Sequence, residues 1–182
     1  MATSSAEIDA LLSRKAVTRR DLQQLTPADA PVIMDIFLHD QTPWNDRKRR
    51  TALQALGVIG DEQAVALLRS VVENPAVEVR LREAAVRALA EAHDATAFAY
   101  LASLAQHPDF SFRKSAIVAL AEAAAPNARQ VLEHVQTTDP DERMRQRAAE
   151  LLAALQPVHA LYTMDQQRPG GYIKCNLDSD YA

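Results

Sequence analysis

A nine-residue stretch, LREAAVRAL at residues 81–89, decides the fold of this chain. It contains an Arg, then an Ala three residues later and a Leu four residues after that. The same pattern occurs four times, with its arginines at Arg49, Arg82, Arg113 and Arg145, which are 33, 31 and 32 residues apart. Self-similarity at a period of about 30 to 45 residues is typical of a solenoid, in which each repeat is one supersecondary unit. The pattern therefore predicts a stack of similar units.

The composition indicates that these units are helical. Of the 182 residues, 48% are apolar but only 5% are aromatic, and there are only 4 glycines. Ala and Leu, which favour helices, dominate the middle of the chain, whereas strands favour β-branched and aromatic residues. The net charge of −4 gives no overall case for nucleic-acid binding, although a local basic patch is compatible with it. Cys175 is the only cysteine, which excludes a disulfide framework or a thiolate zinc site within one chain.

Targeting signals are also not predicted. Residues 1–5 do not form a basic segment followed by an apolar run, and no stretch approaches the roughly 20 apolar residues that cross a bilayer. We therefore expect a cytoplasmic protein without a membrane segment.

The hydrophobic spacing predicts two helices in each repeat. In the first repeat with a regular pattern, helices are expected over 47–58 and 62–72, separated by Gly60-Asp61. Apolar residues at i, i+3, i+4 and i+7 give each helix one apolar stripe, and neighbouring pairs must stack to bury it. The predicted organisation is an N-terminal helical cap (1–26), a solenoid (27–164) and a non-repeat C-terminal tail (165–182).

These motifs resemble HEAT repeats, specifically the short bacterial HEAT-like type that also occurs in phycobilin lyases. The copies at 81–89 and 112–120 match best, and the resemblance covers about residues 46 to 155. It implies an all-α, right-handed α-solenoid of about four HEAT-like helical hairpins, with the N-terminal cap and an irregular C-terminal tail. Many members of such families are interaction scaffolds and a minority are enzymes, so the fold alone does not give a function.

The enzymatic branches can be compared with the repeated positions. Deoxyhypusine hydroxylase resembles this repeat but needs His-Glu pairs where this chain has arginine, and a guanidinium does not ligate iron. No pair of histidines has the i, i+4 spacing of a helical metal site. We predict no catalytic, cofactor-binding or metal-binding residues, and no cofactor.

The repeated arginines, here called the column arginines, have two interpretations. They lie in the first turns of the second helices, where the helix dipole disfavours positive charge. A polar or acidic residue stands four positions before each: Asn45, Glu78, Asp109 and Asp141. Such residues could cap the helix and pair with an arginine of the same or the next repeat. This pairing would form a structural ladder of Arg49, Arg82, Arg113 and Arg145 with Glu78, Asp109 and Asp141. The other interpretation is a basic ridge that binds an acidic partner.

Other cations and aromatic residues near this ridge are candidate partner-binding residues, since Trp and Arg are enriched in interface hot spots. They are Trp44, Arg47, Lys48, Arg50, Arg80, Arg87, Phe110, Lys114, Arg143 and Arg147. The favoured function is a non-catalytic protein-protein interaction scaffold or adaptor, whose partner is another protein with an acidic or extended segment. Two alternatives stay open: a lyase-like accessory or maturation factor that holds a cofactor or modified peptide in the solenoid curve, and nucleic-acid binding through the ridge. The C-terminal tail, with Asp178 and Asp180, is also complementary in charge to the ridge.

Overall fold

The computed structural model describes residues 4–39 and 46–155, and every regular element in these ranges is helical. The elements are α1 (Ser5–Ser13), α2 (Arg19–Leu22), a 3₁₀ turn (Pro27–Asp29), α3 (Ala30–His39), α4 (Asp46–Ile59), α5 (Glu62–Glu73), α6 (Val79–Glu91), α7 (Ala95–Leu104), α8 (Phe110–Glu122), α9 (Ala128–Thr138) and α10 (Glu142–Ala154). The helices predicted over 47–58 and 62–72 are confirmed as α4 and α5 to within one residue at each end.

Short polar side chains begin most of these helices. Asp61, Asp94, Asp109 and Asp141 precede α5, α7, α8 and α10, and each carboxylate accepts a hydrogen bond from a backbone N–H two or three residues later. Ser4 and Thr18 form capping boxes at the starts of α1 and α2. These side chains satisfy backbone donors that have no partner inside the helix.

The same backbone conformation ends three of the second helices. Gly60, His93 and Ala124 follow α4, α6 and α8 with φ of 64°, 50° and 48°. This left-handed conformation commonly terminates helices, and glycine adopts it without the steric cost that a Cβ brings. Of these three positions, only the one after α4 is occupied by glycine.

The helices form two layers. The first helices of the hairpins are α3, α5, α7 and α9, and the second helices are α4, α6, α8 and α10. The second helices pack directly against one another in sequence along the row, whereas α5, α7 and α9 pack mainly on the second helices. A row whose members lie closer together in one layer curves towards that layer, so the second helices form the inner layer of an α-solenoid.

The Ala and Leu columns of the repeated pattern form the core. The column alanines Ala52, Ala85, Ala116 and Ala148 are all fully buried, as are the leucines of the first three copies. Leu152, in the last copy, is half-buried. Glycine is required where α4 and α6 meet, because a Cβ added to Gly57 would lie 2.4 Å from the carbonyl oxygen of Ala88. Such small side chains allow the inner helices to approach closely.

The N-terminal helices cover the first hairpin. Ile8 and Leu12 of α1 and Leu22 of α2 are fully buried and belong to the same hydrophobic cluster as the core of the repeats. Helix α1 contacts α3 and α4, and α2 contacts α4. This contact seals the apolar face of the first repeat. The predicted C-terminal tail lies outside the described residues, and the domain boundaries at residues 26 and 164 stay predictions.

Candidate partner-binding surface

The column arginines reach back to the first helix of their own hairpin. Arg82 Nε donates to the carbonyl oxygen of Val72 (2.7 Å), and Arg145 Nη1 donates to that of Asp139 (2.7 Å). Val72 and Asp139 lie at the C-terminal ends of α5 and α9. Because the C-terminal end of a helix carries partial negative charge, a guanidinium is favourable there. This contact explains why arginine occurs in the first turn of a second helix, where that helix's own dipole disfavours it.

Arg113 makes the most extensive of these contacts. Its Nη1 donates to the carbonyl oxygens of His107 (3.1 Å) and Pro108 (2.9 Å) after the end of α7. Its Nε and Nη2 donate to the two carboxylate oxygens of Asp139 (2.8 and 3.3 Å). Both side chains are buried. Because Asp139 caps the end of α9, this ion pair joins two consecutive hairpins.

The ladder predicted from the sequence differs from the pairing in the structure. Among the described residues, Glu78, Asp109 and Asp141 form no ion pair with the arginine four positions later. Asp109 and Asp141 instead accept hydrogen bonds from the first backbone N–H groups of their own helices. A short aspartate at a helix start satisfies these donors, and the arginine turns away to the carbonyls of the preceding helix. Asn45 lies outside the described residues.

Phenylalanine rings also hold the column arginines. The guanidinium carbons of Arg49, Arg82 and Arg113 lie 4.9, 4.4 and 5.8 Å from the ring centroids of Phe37, Phe112 and Phe110. The guanidinium carbon of Arg143 lies 5.2 Å from the centroid of the same Phe110 ring. Phe110 is half-buried between two cations and packs against the core, so only part of this ring is available to a partner.

Lys48 differs most from its predicted place on a binding surface. Its residue is 8% exposed, and its Nζ lies 2.5 Å from Oδ1 of Asp9 in α1. Its neighbour Arg47 is exposed and donates to the carbonyl oxygen of Ser13, also in the N-terminal cap (3.4 Å). Lys48 therefore attaches the cap to α4, which the local sequence did not indicate because the cap lies outside the repeat.

Three adjoining grooves cross the inner layer. The first groove, of about 420 Å³, lies between α4 and α6 and is lined by Arg47, Arg50 and Gln54 on one side and Arg87 and Glu91 on the other. The grooves therefore begin between the most basic helix and its neighbour.

The second and third grooves continue across α6 and α8. The second groove, of about 290 Å³, has Glu83 and Arg87 on one wall and Lys114 and Ser115 on the other. The third groove, of about 250 Å³, lies at the C-terminal ends of the same helices and is lined by Arg87, Glu91 and Glu122 among others. Arg87 lines all three grooves.

Four of the basic candidates on the inner layer have few or no contacts with the described part of the chain. Arg87 and Lys114 are exposed and have no hydrogen-bond or ion-pair partner among the residues described. Arg50 is exposed and, within the described ranges, donates only to a backbone oxygen of its own helix, that of Asp46 (3.3 Å). Arg80 is exposed at the start of α6. These side chains are available to an anionic partner.

Two further candidates already have acidic neighbours. Arg143 pairs with Asp141 (3.0 Å) and Arg147 pairs with Glu150 (2.9 Å). The hydrogen bond and charge of Arg143 hold the pKa of the Asp141 carboxyl below its usual value. Ion pairs between such exposed side chains contribute little to stability, so a partner can replace them easily. Trp44, the remaining candidate, lies outside the described residues.

The third groove has an acidic side that sequence reasoning missed. Arg19 of α2 lies 3.6 Å from the carboxylate of Glu91, so the cap reaches the inner layer here. The position of Asp139 was also missed, because the residue six places before the column arginine is Ala76, His107 and Asp139 in successive hairpins. Neither contact repeats, so periodicity could not reveal it.

Within 4–39 and 46–155, no three His, Cys, Asp or Glu side chains are grouped as a metal ion would require. None of the helices in these ranges combines the length and apolar character needed to cross a bilayer. The inner layer offers guanidinium and ammonium donors beside amide and hydroxyl groups, and its grooves also contain the carboxylates of Glu83, Glu91 and Glu122.

Comparison with known families matches most of the repeats. A model of HEAT repeats matches residues 79–153, and a model of the PBS lyase HEAT-like repeat matches residues 48–74. The two matches together span α4 to α10 apart from short gaps. A comparison with curated proteins gave no match.

Proposed function

Because this chain belongs to the HEAT-repeat family, we propose that it is a non-catalytic adaptor that binds an extended acidic segment of another protein across its second helices. The observation that carries this proposal is the position of Arg87. This exposed side chain lines all three grooves and has no ion-pair partner among the described residues. A cation without an internal role at the junction of three grooves suits recognition of a carboxylate.

The spacing of the helices indicates the length of segment that would fit. Packed helices lie about 8 to 10 Å apart, so the path from α4 across α6 to α8 is about 20 Å long. A polyproline II chain advances about 3.1 Å per residue with three residues per turn, so about six residues cross the path and side chains three residues apart share one face. Acidic side chains three residues apart would then face the first groove, between Arg50 and Arg87, and the second groove, between Arg87 and Lys114.

The expected affinity is modest and depends on salt. Exposed ion pairs are each worth about 0 to 1 kcal/mol, although bidentate contacts of arginine with carboxylate are stronger. Neutral groups such as Gln54 and Ser115 can bind the peptide backbone between the acidic side chains. Several weak contacts on a rigid scaffold give binding without a large ordering cost on the adaptor's side.

Fluorescence anisotropy with a synthetic peptide tests the proposal. The probe is a labelled peptide with glutamates at every third position among Gly and Ser, and its control has the same composition with the glutamates adjacent. We expect the spaced peptide to bind more tightly, and Arg87→Gln to weaken its binding several-fold, because the variant removes a bidentate contact of arginine with carboxylate. Arg20→Gln, which removes the same charge from α2, should leave binding unchanged.

A single-stranded oligonucleotide of similar charge separates this proposal from nucleic-acid binding. Preferential binding of the oligonucleotide, with a steep loss of affinity as salt rises, would favour nucleic acid instead. Equal binding of both peptides, or an Arg87→Gln variant that binds as tightly as the unmodified protein, would contradict the adaptor proposal.

A further inference from the structure

The outer layer contains a tyrosine that fills the space between two first helices. The guanidinium carbon of Arg69 in α5 lies 4.7 Å from the ring centroid of Tyr100 in α7. Tyr100 is half-buried, and burial together with the nearby carboxylate of Glu73 raises the pKa of its hydroxyl to about 12. The neutral phenol is therefore built into the contact between α5 and α7.

The next pair of first helices has the same positions but smaller side chains. One hairpin later, Arg69, Glu73 and Tyr100 are replaced by Ala102, Gln106 and Val131. The alignment is fixed by the buried alanines Ala64, Ala97 and Ala128 at equivalent positions. All three replacements line a groove of about 440 Å³ between α7 and α9, here called the outer groove. The groove thus lies where Tyr100 would lie if its arrangement were repeated.

The walls of the outer groove suit a neutral occupant with a polar tip. Its lining contains no Asp, Glu, Lys or Arg, in contrast to the inner layer. Asn127 donates from Nδ2 to the carbonyl oxygen of Phe98 (3.3 Å), whereas its Oδ1 is buried and has no hydrogen-bond partner among the described residues. Gln106 and Gln130 add further polar groups. A buried acceptor without a donor is unfavourable, so a turn of the Asn127 amide towards a hydrogen-bond donor in the groove would relieve this cost.

We propose that the outer groove binds a tyrosine side chain of a partner protein, in the way that Tyr100 occupies the contact one hairpin earlier. An aromatic ring buries a large area between apolar walls such as Val131 and Ala102, and its hydroxyl supplies the missing donor. A charged side chain would find no Asp, Glu, Lys or Arg on these walls, whose one ionisable residue is His134. The site lies between first helices, so it goes beyond the proposed function on the inner layer and does not depend on it.

NMR titration of the isotope-labelled full-length protein tests this site with N-acetyl-tyrosinamide as the probe. We expect saturable shifts of the backbone signals of Ala102, Gln106 and Val131. N-acetyl-phenylalaninamide, which lacks the hydroxyl donor, should bind several-fold more weakly, and N-acetyl-leucinamide should give no saturable shift.

Two variants should close the groove by different means. Val131→Tyr supplies the ring from the chain itself, and Ala102→Arg extends the residue that corresponds to Arg69. Either variant should abolish the response to the probe, and Ala102→Arg keeps the test valid if Val131→Tyr does not fold. Conversely, Tyr100→Val should open the contact between α5 and α7 and give a new response to the probe near Arg69.

Several results would overturn the proposal. They are the absence of saturable shifts in the unmodified protein, equal responses to the leucine derivative, or persistence of the response in Ala102→Arg. A response that appears only after Tyr162, Tyr172 and Tyr181 are changed to Ser would show that this chain's own C-terminal residues fill the groove, which also overturns a partner's tyrosine as the occupant.

Discussion

Replacement of Arg113 by Leu is expected to destabilise the protein more than any other change in the arginine column. The variant removes four hydrogen bonds, two to Asp139 and two to the carbonyl oxygens of His107 and Pro108. It leaves the carboxylate of Asp139 buried, with the side chain 3% exposed and a backbone N–H of Asp141 as its remaining donor (2.8 Å). Breaking a buried ion pair by removing one partner costs about 3 to 5 kcal/mol.

Urea denaturation followed by circular dichroism measures this loss. The matched control is Arg82→Leu, because Arg82 occupies the same column but donates to one carbonyl oxygen and has no acidic partner in the described part of the chain. We expect it to lower the free energy of unfolding by about 1 to 2 kcal/mol, the sum of a hydrogen bond and a cation–π contact. The double variant Arg113→Leu/Asp139→Asn should recover part of the loss, since no charge is then left buried without its partner.

The reasoning would be refuted by either of two results. One is an Arg113→Leu variant that loses no more stability than Arg82→Leu. The other is a double variant as unstable as Arg113→Leu alone. Because repeat proteins can unfold in parts, the denaturant dependence must be compared as well as the midpoint. A smaller slope in Arg113→Leu would indicate that the last hairpins separate first.

Three further changes test the local structure. Gly57→Ala should destabilise by about 1 to 3 kcal/mol in thermal melting, despite the better helix propensity of Ala, because its Cβ would lie 2.4 Å from the carbonyl oxygen of Ala88; a stabilised variant would contradict this. Asp94→Ala should cost about 1 kcal/mol near neutral pH. The hydrogen bond from the Thr96 hydroxyl lowers the pKa of the Asp94 carboxyl, so this cost should vanish as pH falls below the ordinary value of 3.8, and a constant difference would argue against the cap. Ala124→Gly, at φ of 48°, should raise the free energy of unfolding in urea by about 0.5 to 1 kcal/mol, and a lower value would show that the conformation is not strained.

The repeated part of the fold could be predicted because the same physical requirement recurs in every hairpin. The column of Ala85 must be small where helices meet, and the column of Leu89 must fill the core, so both appear as periodic signals in the sequence. The ends of α4 and α5 follow from Gly60 and Asp61, whose backbone preferences act locally. These features need no knowledge of distant residues.

The direction of the column arginines could not be predicted in the same way. The sequence placed Arg82 near Glu78, but the carbonyl oxygen of Val72 has no signature in a sequence, since every residue carries one. Lys48 was assigned to the surface because its partner Asp9 lies in the non-repeating cap. Contacts of this kind depend on how two elements are arranged in space, and periodicity carries no information about them.

The outer groove is an intermediate case. The replacement of Tyr100 by Val131 is visible in the sequence once the repeats are aligned. The alignment alone, however, indicates only an apolar position whose side chain varies in size. Its meaning depends on Arg69 and Ala102, which face it from the preceding first helix. A loss of volume on both sides of one contact becomes evident only when the two helices are seen together.

The unequal packing of the two layers has a mechanical consequence. The second helices touch along the row, whereas the first helices are farther apart. Neighbouring hairpins can therefore rotate relative to each other about the contacts between their second helices. A side chain lodged between α7 and α9 would then act as a wedge that sets how far the last two hairpins can close on the outside. The same rotation alters the separation of α8 and α10 on the inside. Occupancy of one face would therefore change the geometry that the other face presents, although the two faces share no residue.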